Sequence, residues 1–167
     1  MVIEAVCFDL GDTLVAEETT VFDSSGQAIS ARPKEGAFEV LESVRKEGYK
    51  TCMIANGDSA RIRRIIQATG LQDYFDSIVI SEEAGVEKPY QRIFEIALDQ
   101  LGVKPENAVM VGNMIDADIL GANRMGMKSV WFKWNNRYSH TIDSSQEKPD
   151  FTIKSLLELP GLLASMK

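Results

Sequence analysis

The sequence has few of the residues that build disulfide frameworks or zinc centres. It contains two cysteines and one histidine among 167 residues. Cys7 and Cys52 lie far apart, each inside an apolar run, and such a pair excludes both a disulfide-rich fold and a cysteine zinc cluster. We expect both to be small buried residues of a protein in a reducing compartment.

Long hydrophobic runs and a basic charge excess are also absent. No run reaches membrane-spanning length, and no N-terminal stretch has the pattern of a signal peptide. The net charge of −7 disfavours a general basic surface for nucleic acid. The short cluster of Arg61, Arg63 and Arg64 is typical of a solvated helix face. We therefore expect a cytoplasmic protein that contacts neither membrane nor, through general charge, nucleic acid.

What is present is a regular alternation of apolar runs and amphipathic segments. Strands are predicted at 2–8, 50–55, 77–80, 108–111 and 129–132, with helices between them. This order predicts an α/β fold with a parallel five-stranded sheet and helices on both faces. Neither a linker nor a repeat interrupts it, so residues 1–167 are expected to form one domain.

Two segments depart from the alternation. Two β-prone runs around a Gly-containing turn predict a short hairpin flap at about 15–32. Pro33 is then expected to open the first helix. Near the end of the chain, residues 133–150 are polar and predicted to be irregular, and a last helix is expected to begin near Ile153. No segment has room for a cap domain.

Polar residues follow the predicted strands. In parallel sheets of this kind, ligands bind at the carboxyl ends of the strands. Carboxylates there suit a divalent cation and a lysine suits an anion, while a Gly-bearing turn at a helix start is a natural seat for phosphate. Oxygen ligands and a single histidine favour Mg²⁺ over zinc. The candidates are Asp9, Gly11, Asp12, Thr13, Asn56, Gly57, Lys88, Asn113, Asp116 and Asp118.

Four segments resemble the motifs of the haloacid dehalogenase (HAD) superfamily. They are FDLGDTL at 8–14, IANG at 54–57, GVEKP at 85–89 and VGNMIDADI at 111–119. The resemblance extends over nearly the whole chain, with the motifs in the family's order. It implies a Rossmann-like sheet and phosphoryl transfer.

The resemblance also implies roles for particular residues. Asp9 would be the nucleophile that forms an aspartyl-phosphate, and Lys88 would neutralise Asp9 and the phosphoryl oxygens. Mg²⁺ would be held by Asp9, the carbonyl of Gly11 and the side chain of Asn113. Thr13 and Asn56 would bond near the nucleophile and the phosphate, where Gly57 offers its N–H.

Three positions depart from the family pattern. Gly11 stands where family phosphatases carry an acid/base aspartate, and an aspartate follows one position later, at Asp12. Losing such a group costs about 10²–10⁴ in rate. Ala55 replaces a hydroxyl residue, and Asn113 replaces a metal-binding aspartate, for which Asp116 or Asp118 can compensate. We expect weakened magnesium binding and slow or selective catalysis.

These departures leave three functions open. The first is a Mg²⁺-dependent phosphohydrolase. The second is a non-catalytic module of the same fold that binds a phosphorylated ligand or a protein partner. The third is a dehalogenase-like hydrolase, which the lack of a cap disfavours.

The open site predicts bulky or macromolecular phosphorylated substrates, or a lid from another subunit in a homo-oligomer. The flap at 20–31 is the expected local lid. Trp131 is expected in the core, whereas Trp134 and Tyr138 are candidates for the entrance or an interface. His140 is expected on a surface loop.

Overall fold

The computed structural model describes residues 2–135 and 141–167 of the chain. Within those ranges the strands, in chain order, are β1 Ala5–Phe8, β2 Val15–Phe22, β3 Ala28–Pro33, β4 Lys50–Ala55, β5 Ser77–Ile80, β6 Ala108–Gly112, β7 Lys128–Phe132 and β8 Phe151–Ile153. The helices are α1 Ala37–Lys46, α2 Ser59–Thr69, α3 Ser81–Ala84, α4 Gln91–Leu101, α5 Leu120–Met125 and α6 Leu159–Ser165.

The main sheet is parallel and has the order β5-β4-β1-β6-β7-β8. β1 lies in the middle, where Cys7 is in register with Cys52 on one side and with Met110 on the other. All four residues of β1 are buried, as its continuous apolar run predicts for a central parallel strand. The Rossmann-like α/β prediction is confirmed.

The sheet has one strand more than the five predicted. The extra strand, β8, pairs with β7 at the edge of the sheet. The prediction that the last helix begins near Ile153 is therefore wrong, because Ile153 ends β8 and α6 begins at Leu159. Strand β8 is only three residues long and exposes Thr152, so its apolar signal is weak.

Helices cover both faces of the sheet. On one face, Val6 and Phe8 belong to a core shared with the buried sides of α1, α2 and α6. On the other, Ala5 and Cys7 pack in a core with α4 and α5. Both cysteines are buried and free, as predicted. No helix in the described ranges is long and apolar enough to cross a lipid bilayer.

The predicted hairpin flap is present as the antiparallel pair β2 and β3. Its turn is closed by the carboxylate of Asp23, which accepts hydrogen bonds from the main-chain N–H groups of Ser25 and Gln27. Arg64 of α2 anchors the flap by donating to the carbonyl of Ala28 at 2.9 Å. Between β1 and α1 the described chain contains this hairpin and no cap domain.

The prediction that Pro33 opens the first helix is wrong. Pro33 is the last residue of β3, and α1 begins four residues later at Ala37. Gly36 precedes the helix with φ 81°, a left-handed conformation that glycine adopts without steric cost. The turn into α1 thus depends on the glycine rather than on the proline.

Candidate active site

The carboxyl ends of three neighbouring strands carry the candidate site. Asp9 follows β1, Asn56 follows β4 and Asn113 follows β6. Because these strands are parallel, the three residues lie at the same edge of the sheet. Lys88 enters from the loop between α3 and α4, and its Nζ donates to Asp9 Oδ1 at 2.9 Å. The structure thus brings the predicted nucleophile and the predicted lysine into direct contact.

The ammonium group of Lys88 is buried and fully hydrogen-bonded. Besides Asp9, it donates to Asp118 Oδ1 at 2.7 Å and to the carbonyl oxygen of Ile54 at 2.7 Å. An ammonium group has three N–H donors, and each of them has an acceptor here. Only 4% of Lys88 is exposed, so this complete pairing is the condition for keeping its charge in the protein interior.

Two carboxylates share this single cation. Burial alone would lower the pKa of Lys88, but the negative charges of Asp118 and Asp9 outweigh it and raise that pKa to about 12. Burial, followed by the charge of Asp9, raises the pKa of Asp118 to about 6 although Lys88 acts in the opposite direction. Lys88 therefore stays protonated, while burial raises the pKa of Asp118, which lies deeper in the protein than Asp9.

A π-helical turn over Ile115–Ile119 points Asp118 into this cluster. The Asp118 side chain accepts from the N–H of Met114 at 3.0 Å as well as from Lys88. It also occupies the space beside Gly112, where a Cβ would overlap its carboxyl group. Gly112 is thus required by the close approach of Asp118.

Asp9, the side chain of Asn113 and the carbonyl of Gly11 form a set of groups suited to a cation. Thr13 donates to Asp9 Oδ2 at 3.1 Å. One polar atom of the Asn113 amide lies 2.9 Å from Asp9 Oδ2 and 3.3 Å from the carbonyl oxygen of Gly11. If that atom is nitrogen it donates to both oxygens, and if it is oxygen, three oxygens converge.

The converging oxygens fit the ligand chemistry of Mg²⁺. Mg²⁺ takes oxygen ligands at about 2.0–2.1 Å in octahedral geometry, which places neighbouring ligands roughly 3 Å apart. In the described part of the chain, no three His, Cys, Asp or Glu side chains group around a possible metal position. The donor set is consequently one carboxylate, one amide and one main-chain carbonyl, with little negative charge.

The Asn56-Gly57 turn has other partners than the predicted phosphate. Asn56 Oδ1 accepts from the N–H of Lys88 at 2.9 Å, and its Nδ2 donates to the Lys88 carbonyl at 3.1 Å. The N–H of Gly57 donates to the hydroxyl of Ser81, and that of Ser59 donates to Glu82. In this structure the start of α2 is therefore held by groups from α3, and Asn56 fixes the backbone that carries Lys88.

The other three aspartates among the predicted candidates differ in position. Asp118 lies in the lysine cluster, as described above. Asp12 is fully buried with φ 56°, and its Oδ1 accepts from the N–H of Glu17 at the base of the flap. Asp116 is exposed on the π-helical turn. Neither Asp12 nor Asp116 lines the clefts around Asp9.

Two adjoining clefts give access to Asp9. One, of about 130 Å³, runs between the flap and α2, and the other, of about 240 Å³, opens toward Lys88 and Asn113. Arg61 lines the first cleft, so it is more than part of a solvated helix face. Glu17 of β2 lines both clefts. Glu17 was not among the residues predicted from the sequence, because it lies in the flap, three residues beyond the first motif and outside all four motifs.

The aromatic candidates support the loops of the site. Trp131 is buried, as predicted, and donates to the carbonyl of Asn113 at 3.1 Å. Trp134 donates from Nε1 to the carbonyl of Asp12 at 2.7 Å. It therefore supports the loop that follows Asp9. The predictions for Tyr138 and His140 fall outside the described residues.

The N-cap of α2 also lies in this region, and it is an aspartate. Asp58 has extended backbone angles and accepts from the N–H of Arg61 at 2.6 Å. This is the usual geometry of an N-cap aspartate, which satisfies one of the free donors of the first turn.

Comparison with known proteins gives a consistent result. Residues 25–126 match the family described as haloacid dehalogenase-like hydrolase. The chain is 40% identical over 132 residues to the glyceraldehyde 3-phosphate phosphatase of Pyrococcus furiosus, covering 79% of this chain and 53% of that protein. It is 39% identical over 127 residues to the N-acylneuraminate-9-phosphatase of Mus musculus, covering 76% and 50%.

The fold is shared with a solved structure over almost the full length of both chains. A crystal structure of a HAD phosphatase from Thermococcus onnurineus superposes with a TM-score of 0.81 at 22% identity, covering 96% of this chain and 98% of that one. The chain spans about half the length of the curated relatives that it matches. The family profile, the relatives and the fold agree, and the chain belongs to the haloacid dehalogenase-like hydrolases.

Proposed function

We propose that this chain hydrolyses small phosphate monoesters through a covalent phosphoryl group on Asp9. The observation that carries the proposal is the buried ammonium of Lys88, which bonds to Asp9, a residue that lines both clefts. A buried lysine beside a partly accessible carboxylate in a cleft is an arrangement in which the carboxylate can act as a nucleophile and the lysine can stabilise an anionic substrate.

The reaction has two displacements. A carboxylate oxygen of Asp9 attacks phosphorus, the bond to the ester oxygen breaks, and the alcohol leaves with a proton that the water attacking in the second displacement replaces. Water then attacks the phosphorus of the aspartyl-phosphate, the bond to Asp9 breaks, and phosphate is released. Lys88 and Thr13 each bond to one oxygen of Asp9 and so fix the carboxylate for attack.

Mg²⁺ is the cation that the oxygens around Asp9 fit best. Asp9, the carbonyl of Gly11 and the side chain of Asn113 would hold it. When bound, it supplies positive charge beside the transferring phosphoryl group. Because Asn113 contributes an uncharged oxygen, we expect weaker affinity than a second carboxylate would give.

Small phosphorylated metabolites are the proposed substrates. The two relatives are named for phosphatases of glyceraldehyde 3-phosphate and of N-acylneuraminate 9-phosphate. The cleft of about 130 Å³ between the flap and α2 suits the leaving group of a small ester. Bulky or macromolecular substrates, expected from an open site, remain a prediction of the sequence.

The test is phosphate release from a panel of sugar, glycerol and nucleoside phosphates, with and without Mg²⁺. We expect Asp9→Asn to lower kcat/KM on the order of 10³-fold or more, since the nucleophile is lost. The matched control is Asp99→Asn, the same change at an exposed position of α4. Acid-quenched protein should carry a phosphoryl group on the peptide that contains Asp9.

Other outcomes would overturn the proposal. Turnover that survives in Asp9→Asn would remove Asp9 from the mechanism. An absence of phosphate release across the panel at millimolar Mg²⁺ would favour the non-catalytic binding module instead.

A further inference from the structure

Glu17 places its carboxyl group against the loop that follows Asp9. A Cβ built on Gly11 would lie 2.9 Å from Cδ and 3.3 Å from Cγ of Glu17, and closer still to its Oε1. Real Cβ atoms essentially never approach other heavy atoms within 3.0 Å, so a side chain at position 11 and Glu17 in its present place exclude each other. The glycine leaves the space that the carboxyl group of Glu17 fills.

The base of the flap fixes the main chain of Glu17. The carboxylate of Asp12 accepts from the N–H of Glu17 at 3.1 Å, and the hydroxyl of Thr20 donates to the Glu17 carbonyl at 2.7 Å. Asp12 is itself buried in a left-handed conformation and held by Trp134. The loop after β1 therefore carries Asp9 and, through Asp12, also holds the backbone of Glu17.

Glu17 is also the acidic residue best placed to exchange protons with a substrate. Four acidic residues line the two clefts within the described ranges: Asp9, Glu17, Asp58 and Asp118. Asp9 is the proposed nucleophile, Asp118 is buried on Lys88, and Asp58 caps α2. Glu17 lines both clefts and is exposed, so water and a leaving group can reach it.

We propose that Glu17 is the general acid and base of the reaction, an inference that rests on the proposed phosphatase function. When Asp9 attacks and the bond between phosphorus and the ester oxygen breaks, the carboxyl group of Glu17 gives its proton to that oxygen. In the second displacement the Glu17 carboxylate takes a proton from the attacking water as the bond between phosphorus and Asp9 breaks. Each cycle returns both side chains to their starting states.

The proposal predicts a dependence on the leaving group. An aryl phosphate with an acidic phenol needs little help from an acid, whereas an alkyl phosphate such as glycerol phosphate needs much. We expect Glu17→Gln to lower kcat/KM about 10²–10⁴-fold for glycerol phosphate and less than about tenfold for p-nitrophenyl phosphate. The matched control is Glu18→Gln, the next residue of β2, which lies outside both clefts.

A relocation experiment tests the same idea without depending on one variant. Gly11→Asp alone must displace the carboxyl group of Glu17, whereas Gly11→Asp combined with Glu17→Ala leaves room for the new side chain and returns a carboxyl group to the cleft. We expect the double variant to hydrolyse glycerol phosphate at least about tenfold faster than Glu17→Ala. Thermal unfolding of each variant checks that the flap still folds.

The outcomes separate this inference from the proposed function. If the wild-type chain hydrolyses both esters and Glu17→Gln slows neither, or slows both equally, Glu17 is not the acid and the phosphatase proposal stands. If the wild-type chain releases phosphate from neither ester, the proposed function fails and the role of Glu17 fails with it.

Discussion

Two ion-paired clusters close to the loop after β5 have similar geometry and very different surroundings. In the site, Lys88 contacts Asp9 at 2.9 Å and Asp118 at 2.7 Å, with side-chain exposures of 2%, 11% and 1%. On the surface, Arg63 of α2 contacts Glu83 of α3 at 2.6 Å, with exposures of 51% and 39%. Bond length does not distinguish the clusters, but access to water does.

Access to water determines how much each cluster contributes to stability. An exposed pair is screened by water and salt and contributes about 0.2–1 kcal/mol to stability. Removing one partner of a buried pair costs about 3–5 kcal/mol, because an uncompensated charge is left in the interior. Changes in the buried cluster should therefore affect both the stability of the fold and the chemistry of the site. Changes in the surface cluster, which joins α2 to α3, should have little effect on stability.

The largest expected effect follows from removing the buried cation. Lys88→Met leaves Asp9 and Asp118 without their shared partner, so the free energy of unfolding should fall by about 3–5 kcal/mol at neutral pH. Phosphate release should be lost with it. Urea denaturation measures the first effect and the substrate panel measures the second.

A lysine in a more open pair provides the control for that change. Lys128 contacts Asp150 at 3.3 Å with about a third of each side chain exposed. Lys128→Met should cost no more than about 1 kcal/mol and leave phosphate release unchanged. Equal losses in the two variants would mean that water reaches the Lys88 cluster and that the contrast between the clusters is wrong.

A smaller effect should follow from crowding the buried cluster while keeping its charges. In Gly112→Ala the new Cβ would overlap the carboxyl group of Asp118. We expect about 1–3 kcal/mol of destabilisation as Asp118 is displaced, together with slower phosphate release. Thermal unfolding and kcat/KM report the two effects.

The matched change, Gly161→Ala, lies within α6, where an added Cβ meets nothing within 4 Å. Alanine favours a helix over glycine by roughly 0.5–1 kcal/mol, so this variant should be slightly more stable and fully active. A Gly112→Ala variant that behaved like it would show that Asp118 can move aside without loss.

Much of the fold was predictable because the buried strands are continuous apolar runs. Strand β4 begins at Lys50 and β5 at Ser77, as predicted from their sequences. Strand β8 escaped notice because it is short, lies at the edge and alternates between exposed and buried residues. Proline was a misleading signal at position 33, where it ends a strand instead of starting a helix.

The part of the site that was predictable consists of the residues that directly follow the parallel strands. Asp9 follows β1 and Asn113 follows β6. The two residues lie close together because these neighbouring strands are parallel and end at the same edge of the sheet. The choice between Asp116 and Asp118 depends on a π-helical turn, which sequence periodicity does not reveal. The engagement of Gly57 with Ser81 depends on α3, a four-residue helix whose sequence, SEEA, is too short and too acidic to stand out.

Glu17 was missed for a different reason. Its contact with Gly11 joins the flap to the loop after β1, and no periodic pattern marks such a contact. The available signal was an absence, since a glycine at position 11 leaves room for a side chain from elsewhere. A glutamate six residues later, on a hairpin expected to fold over the site, was a candidate to fill it.

The smallest effect tests the surface cluster. Hydrogen bonds from Arg63 and Ser59 lower the pKa of Glu83 from 4.5 to about 2. A carboxyl group with a lowered pKa in the folded state stabilises the protein above its ordinary pKa, and this contribution is lost as the pH falls from 4.5 toward 2. The difference in unfolding free energy between the wild-type chain and Glu83→Gln should therefore be below about 1 kcal/mol at pH 7. This difference should narrow steadily below pH 4.5 and shrink in concentrated salt, because exposed charges are screened.

Urea denaturation at several pH values measures this difference, with Glu106→Gln at another exposed position as the control. A difference that persisted in acid and in salt would mean that Glu83 acts through packing between α2 and α3, and the two clusters would then differ in kind as well as in exposure.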